Sequence, residues 1–421
     1  MIRRDFLQRS TKASIGALLA PRFEWSSVMR GSEERFSDLA AQYRSALLDK
    51  TLPFWLNNSV DLEYGGYFNS LDHDGRVVST DKYMWQLIRQ VWTFAMMYNR
   101  FEPRPEWIEH ASRGVDFMRR FGRADDGDWY FAVSRQGEPL RRRTDYFATT
   151  FAALAMGEYW RARRNEDDRT IGLEAFDRAY RQLPRPVPSP QQADGSSPLE
   201  MRYPMILLNV ATELRTFIGE DRFQQVATEC IDQIVPLFLD KDSGLLLERV
   251  APDGSRLDSP AGSLVCPGHG CEAAWILAEA GQSIGKDEVI NSSLEILKRT
   301  FDYGWDAEHG GLMTFLNLTG AQPESALWDR KRLWVHTDTL VGLALAVEFT
   351  NDQSYLDRFE QLHEWVWKHF RDPSDGGWLI DLHRDGSPFT FDRGAAWSGC
   401  FHLPRALYRC MRTFEALAKE E

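Results

Sequence analysis

No uninterrupted apolar run in the chain approaches the roughly 18 residues that a membrane-crossing helix needs. The apolar patch Ala13 to Ala20 is short and is stopped by Pro21-Arg22. Positive charge is also in deficit: 62 acidic residues against 50 basic ones leave a net charge of −12. That argues against a nucleic-acid groove as the dominant surface, and the run Arg141-Arg142-Arg143 reads as a solvated face. Cysteine is scarce and odd in number. Cys230, Cys266, Cys271, Cys400 and Cys410, spread over 421 residues, are not a disulfide framework. Cys266 and Cys271 flank His269, but no second cluster completes four ligands, so no metal site is expected. A Gly-x-x-x-x-Gly-Lys-Ser/Thr loop for nucleotide phosphates is missing too.

What the chain does have is a repeat. An acidic or Gly-containing turn, an alternating apolar run and a second Gly turn recur. The copies start at Glu63-Tyr64-Gly65-Gly66, Asp126-Gly127, Asp242-Ser243-Gly244, His309-Gly310-Gly311 and Asp375-Gly376-Gly377. Each reads as a β-hairpin or extended excursion. Between them lie stretches with apolar spacing near 3.6, such as Trp85 to Tyr98, Tyr146 to Trp160 and Leu340 to Phe349. The gap between the second and third copies is double, and a degenerate turn region at Pro184 to Pro198 stands where a sixth copy would fall. Six helical hairpins that close on themselves leave no free end. The expected fold is therefore all-α, an (α/α)6 barrel with short β-hairpins in the loops on one face. It spans residues 31–421 as a single domain. Residues 1–30, with Arg3-Arg4 ahead of Phe6-Leu7, read as a twin-arginine export leader and imply a periplasmic location.

Two segments carry candidate chemistry. Pro267-Gly268-His269 precedes an apolar helix, with Glu272 three positions on, able to share a helix face with His269 and to orient or charge-balance its ring. Gly399-Cys400-Phe401-His402 is followed by Arg405 at the same spacing. Corresponding positions of different repeats converge at a barrel mouth, so the two histidines are expected to face each other there. Arg89, within an aromatic helical run, either finds an anionic partner or extends to the rim. His336 and Asp338 stand two apart at another helix start, for hydroxyl binding or for support. His73, His110, His309, His363, His369 and His383 receive no chemistry.

With Gly399 to Arg405, Pro267 to Trp275, Lys82-Tyr83-Met84-Trp85-Gln86 through Arg89, and Trp334 to Asp338 on the page, the chain resembles the N-acylglucosamine 2-epimerase family. Cellobiose 2-epimerases and aldose–ketose isomerases are related to that family, and the resemblance runs from about Phe36 to Phe414. It implies an (α/α)6 barrel, with His269, His402 and Arg89 catalytic. Glu272, Trp334, His336, Asp338, Asn209, Tyr83 and Arg405 are implied to bind substrate. It implies no required cofactor, with ATP open as an allosteric effector, a monosaccharide or amino-sugar partner, and homodimerisation left open. The family often has Trp at Leu333, Gln at His336 and Glu at Asp338, while the stretch Tyr203 to Asn209 looks like the N-acylglucosamine branch.

A neutral imidazole is a base at pH 7 and an acid once protonated. One histidine removes the proton at C2 of an open-chain sugar, Arg89 stabilises the oxyanion, and a second histidine returns the proton from the other face. Return to C1 would give a ketose instead. A carboxylate-driven hydrolase using Asp61, Asp145, Asp242 or Asp375, and a non-catalytic sugar-binding barrel, are the remaining alternatives.

Overall fold

The structure, a computed structural model, describes residues 25–140, 144–187 and 197–420. The expected leader therefore falls mainly outside the described residues, as do Arg141 to Arg143 and much of the proline-rich segment. The first helix, α1, opens at Trp25, inside the stretch assigned to the leader.

Helices alternate between an inner and an outer ring. The inner helices are α3 (Met84–Arg100), α5 (Tyr146–Arg163), α7 (Arg202–Ile218), α9 (Pro267–Ile284), α11 (Leu333–Thr350) and α13 (His402–Glu420). The outer ones are α1 (Trp25–Ser45), running through a π turn into α2 (Leu52–Asn58), then α4 (Pro105–Phe121), α6 (Glu166–Gln182), α8 (Asp221–Gln233), α10 (Asp287–Gly304) and α12 (Gln353–His369). The sequence explains the division. Most of α5, from Ala148 to Trp160, is buried without interruption, and α11 is buried from Leu333 to Val347 save Trp334 and Leu345. A helix walled in on nearly every side needs such a continuous run. Outer helices carry one apolar stripe: in α4, Trp107, Ile108, Ala111, Val115 and Met118 are buried at helical spacing.

One feature differs from repeats taken in strict chain order. The pair that closes the ring joins the first outer helix to the last inner one. Phe36 stacks on Phe414 with ring centroids 5.7 Å apart, and Tyr43 lies 6.4 Å from the same ring.

The connections at one end of the barrel are short, such as Arg164–Asn165, Gly219–Glu220, Gly285–Lys286 and Asn351–Asp352, between an inner helix and its outer partner. At the other end they are long and carry the repeats. Four of these turns share one hydrogen-bond pattern. The Gly65 N–H donates to the Asp61 carbonyl (2.9 Å), Gly244 to Asp240 (2.8 Å), Gly310 to Asp306 (2.7 Å) and Gly376 to Asp372 (2.8 Å). Each aspartate also takes an arginine from a later loop: Arg135, Arg256, Arg384 and Arg393 respectively. In two of them a fully buried lysine completes the network, Lys82 to Asp61 (2.9 Å) and Lys331 to Asp306 (3.0 Å). These aspartates are structural, which removes Asp61 from the hydrolase alternative. The strands do more than form hairpins, because they also link neighbouring loops. Lys82–Tyr83 pairs with Ala132–Val133, Leu199–Glu200 with Arg249–Val250, Leu264–Val265 with Leu316–Asn317, and Lys331–Arg332 with Asp381–Leu382. Each leading strand sits just ahead of an inner helix and fixes where that helix begins.

Candidate active site

All six inner helices begin at the long-loop end, so their N-termini point into one cavity of about 270 Å³. Each supplies a group from its first two turns or its cap: Trp85 and Arg89, Asp145 and Phe147, Met205, His269 and Glu272, Trp334, and His402. Six helix N-termini aimed at one space create a positive potential without a charged side chain, suited to an anion that forms transiently. The loops add Phe131, Phe315 and Trp397.

His269 is the third residue of α9. A side chain on Gly268 would strike the Trp334 ring at 2.8 Å, so glycine there lets the indole pack beside the histidine, ring centroids 5.0 Å apart. His269 Nδ1 lies 2.9 Å from the Glu248 carboxylate. With Nδ1–H donating to that acceptor, Nε2 is left as the proton-transfer atom. Burial opposes the charged ring, but the Glu248 carboxylate, helped by Cys266, overrides it and holds the imidazole well above its ordinary pKa.

His402 opens α13 and touches the other side of the site, its centroid 5.7 Å from Trp334. Its Nδ1 lies 2.6 Å from Asp338, again leaving Nε2 for chemistry. Here the pKa goes the other way: burial, with the Arg89 and Arg405 guanidiniums, pushes it well below the usual value. Asp338 also bonds Arg405, which in turn bonds Glu272 at 2.8 Å. The carboxylate behind His402 is thus already neutralised by an arginine.

Arg89 neither extends to the rim nor finds a carboxylate partner among the described residues. It is 5 % exposed, with its guanidinium 4.3 Å from the Trp85 ring, 3.9 Å from Phe151 and 4.5 Å from Phe401. Its Nη1 lies 3.4 Å from His402 Nε2, its Nε has no partner among the described residues, and burial pushes its pKa down to about 9.

The remaining sequence expectations divide. Trp334 and Glu272 line the cavity as expected, but Glu272 holds Arg405, and the carboxylate that orients His269 is Glu248. Asp338 and Arg405 are buried behind His402 and position it, and neither lines the cavity. His336 is fully buried and stacks on Trp365 at 5.0 Å. It donates from Nδ1 to the Arg332 carbonyl (2.7 Å) and accepts the Leu312 N–H at Nε2 (2.9 Å). Burial drives its pKa down to about 3, and with both ring nitrogens on backbone groups it braces the loop outside the cavity lining. Asn209 is buried one turn deeper in α7 than Met205 and Ile206, which line the wall. Tyr83 leads into α3, its ring edge-on to Phe131 at 5.8 Å.

The sequence reading missed Glu248 and the guanidiniums of Arg202 and Arg332 at the wall. A carboxylate directly after Leu245-Leu246-Leu247 was the available signal for Glu248.

Two donor groups at the site could ligate a cation, Glu248 with Cys266 and His269, and Glu272 with Asp338 and His402. In the second, Arg405 already fills the cationic position.

Residues 66–405 match the family described as N-acylglucosamine 2-epimerase (GlcNAc 2-epimerase). The chain is 31 % identical over 377 residues to the N-acylglucosamine 2-epimerase of Bos taurus, covering 86 % of this chain and 88 % of that one. The cellobiose 2-epimerase of Bacillus thermoamylovorans has the same fold, with a TM-score of 0.78 at 20 % identity, covering 90 % of this chain and 100 % of that one. A D-mannose isomerase shares it at a TM-score of 0.74 and 16 % identity, covering 95 % and 100 %. The helical order, the convergent N-termini and these matches agree: the chain belongs to the N-acylglucosamine 2-epimerase family of carbohydrate epimerases and isomerases.

Proposed function

We propose that the cavity interconverts an N-acylglucosamine and an N-acylmannosamine, or a related aldose pair, by moving the proton at C2 between His402 and His269. The observation that carries this reading is the buried guanidinium of Arg89, beside His402 Nε2 and without a carboxylate partner among the described residues. A buried cation without a carboxylate is costly, and an enolate oxygen formed in the cavity would supply the missing partner. That anion is an enediolate where C2 bears a hydroxyl.

The resting enzyme at pH 7 holds His402 neutral and His269 protonated, following their opposite shifts. His402 Nε2 removes the C2 proton of one epimer, and His269 Nε2 delivers a proton to the opposite face. The enzyme then holds the converse pair of protonation states, which is the form that acts on the other epimer. Proton transfer by two imidazoles needs no redox group. The aromatic wall of Trp85, Trp397, Phe131 and Phe315 offers faces for the C–H side of a sugar. The volume suits a single sugar ring.

Incubation with N-acetylmannosamine, and separately with mannose, in D2O tests this by NMR. Deuterium at C2 with formation of the epimer supports the reading. A ketose from mannose moves it to the aldose–ketose isomerase, a reaction the N-acyl sugar cannot follow because its C2 carries nitrogen. Absence of exchange with both overturns it. Arg3-Arg4 supports export of the folded enzyme. Replacing both by lysine should retain the protein in the cytoplasm on fractionation, and unchanged export would remove the twin-arginine assignment.

A further inference from the structure

We infer that Glu248, Cys266 and His269 form a site for a borderline-soft divalent cation such as Zn2+, and that its occupation switches His269 off. Among the described residues, three groups of His, Cys, Asp and Glu bring ligand atoms within 4.8 Å of one another. Asp72, His73 and Asp74 lie in a surface turn where Arg76 already contacts both aspartates. Glu272, Asp338 and His402 surround Arg405, which bonds both carboxylates. Glu248 differs: among the described residues no lysine or arginine is ion-paired to it, and its partner is His269 Nδ1.

The donor set is one carboxylate oxygen, one sulfur and one imidazole nitrogen. That mixture favours Zn2+ over Mg2+ or Ca2+, which take oxygen ligands, and it leaves a fourth position for water. Local structure brings the three together. Cys266 caps α9 and His269 follows three residues later, while Glu248 comes from the preceding loop, where its backbone N–H donates to Leu264 (3.0 Å) and its carbonyl accepts from Met201 (3.1 Å). Cys266 is buried, and the His269 side chain, 21 % exposed, lines the cavity.

Binding exchanges protons for metal. The cation takes the Nδ1 lone pair and the thiolate, and the Nδ1 and thiol protons pass to solvent. The proton on Nε2 remains. With its other nitrogen in a metal bond, the ring is fixed as a donor and no longer accepts a proton from C2. This second half of the inference rests on the acid–base role proposed for His269, whereas cation binding does not.

The test uses the full chain freed of metal and titrated with Co2+, whose complex with a thiolate gives an intense near-ultraviolet sulfur-to-cobalt band. The band is expected in the wild type, saturating at one equivalent and bleached by Zn2+. It is expected to vanish in Cys266→Ser and Cys266→Ala, each compared with the wild type by circular dichroism. In parallel, exchange at C2 should fall as Zn2+ is added and recover with a chelator. In the Cys266 variants it should hold its own metal-free rate. No thiolate band in the wild type, or an equal band in folded Cys266 variants, overturns the site. A band with undiminished exchange overturns the switch. Lack of exchange before any metal is added would instead count against the epimerase reading alone.

Discussion

His269 and His402 are oriented in the same way, each with a carboxylate on Nδ1, yet their affinities for a proton move in opposite directions. The difference lies one residue further out. Glu248 faces His269 with no lysine or arginine paired to it among the described residues, so its full charge stabilises the imidazolium. Asp338 is shared with Arg405, and Arg89 approaches the free edge of the ring, so the His402 imidazolium meets two guanidiniums and a spent carboxylate. Two similar side chains are shifted in opposite directions by their neighbours' neighbours.

The largest expected effect comes from removing either arm. His269→Asn and His402→Asn should each abolish net epimerisation, since loss of a general acid–base group costs about 10²–10⁴ in rate. Each variant should still exchange the C2 proton of one epimer in D2O, and a different one in each. Equal residual exchange from both epimers in both variants would mean a single shuttling base, and the comparison would collapse. Arg89→Ala should follow, slowing exchange from both epimers alike by about 10²–10³, as expected for one lost oxyanion donor. Unequal slowing would tie Arg89 to one histidine and not to the shared intermediate.

Glu248→Gln sharpens the comparison more gently. Without the carboxylate the His269 pKa falls, so the alkaline limb of the pH–rate profile should move to lower pH while the acid limb, governed by His402, stays. Movement of the acid limb would show that the two rings titrate as one coupled pair. The smallest effect comes from a histidine outside the pair. His336 has a folded pKa of about 3, below the unfolded value of about 6.5. As pH falls through 6.5 the unfolded chain takes up a proton that the folded one refuses. Stability is therefore lost on acidification, by about 2 kcal/mol at pH 5. His336→Gln should flatten that slope in chemical denaturation between pH 7 and pH 5 and leave C2 exchange intact. A lost exchange rate would return His336 to the site.

The barrel and the meeting of His269 and His402 at one cavity were legible in the sequence because they depend on local signals. The Gly turns recur, and the inner helices that follow begin at one end of the barrel, which brings His269 and His402 together. Roles that depend on tertiary partners were not legible. Glu272 stands three residues from His269, and spacing alone assigns it to that ring, but its side chain reaches Arg405 on α13. His336, near a helix start like the others, is turned inward by the Leu312 N–H and Trp365. Glu248 follows three leucines in a loop, where a lone carboxylate looks like an ordinary solvent-facing position. Lys82 and Lys331 sit in polar surroundings by sequence, and only the folded loops show them fully enclosed with Asp61 and Asp306.

The seam between α1 and α13 has a consequence for how the molecule comes to exist. Contacts such as Arg44 with Glu415 join residues 371 positions apart, so ring closure carries the loop-entropy cost of almost the whole chain and belongs to the slow, late part of folding. During synthesis, five inner helices emerge and pair with their outer neighbours before the sixth is made. That last helix brings the closing surface and His402 together. A ribosome-bound or truncated chain that stops short of α13 therefore has an open ring and lacks His402, one of the two histidines of the proposed mechanism.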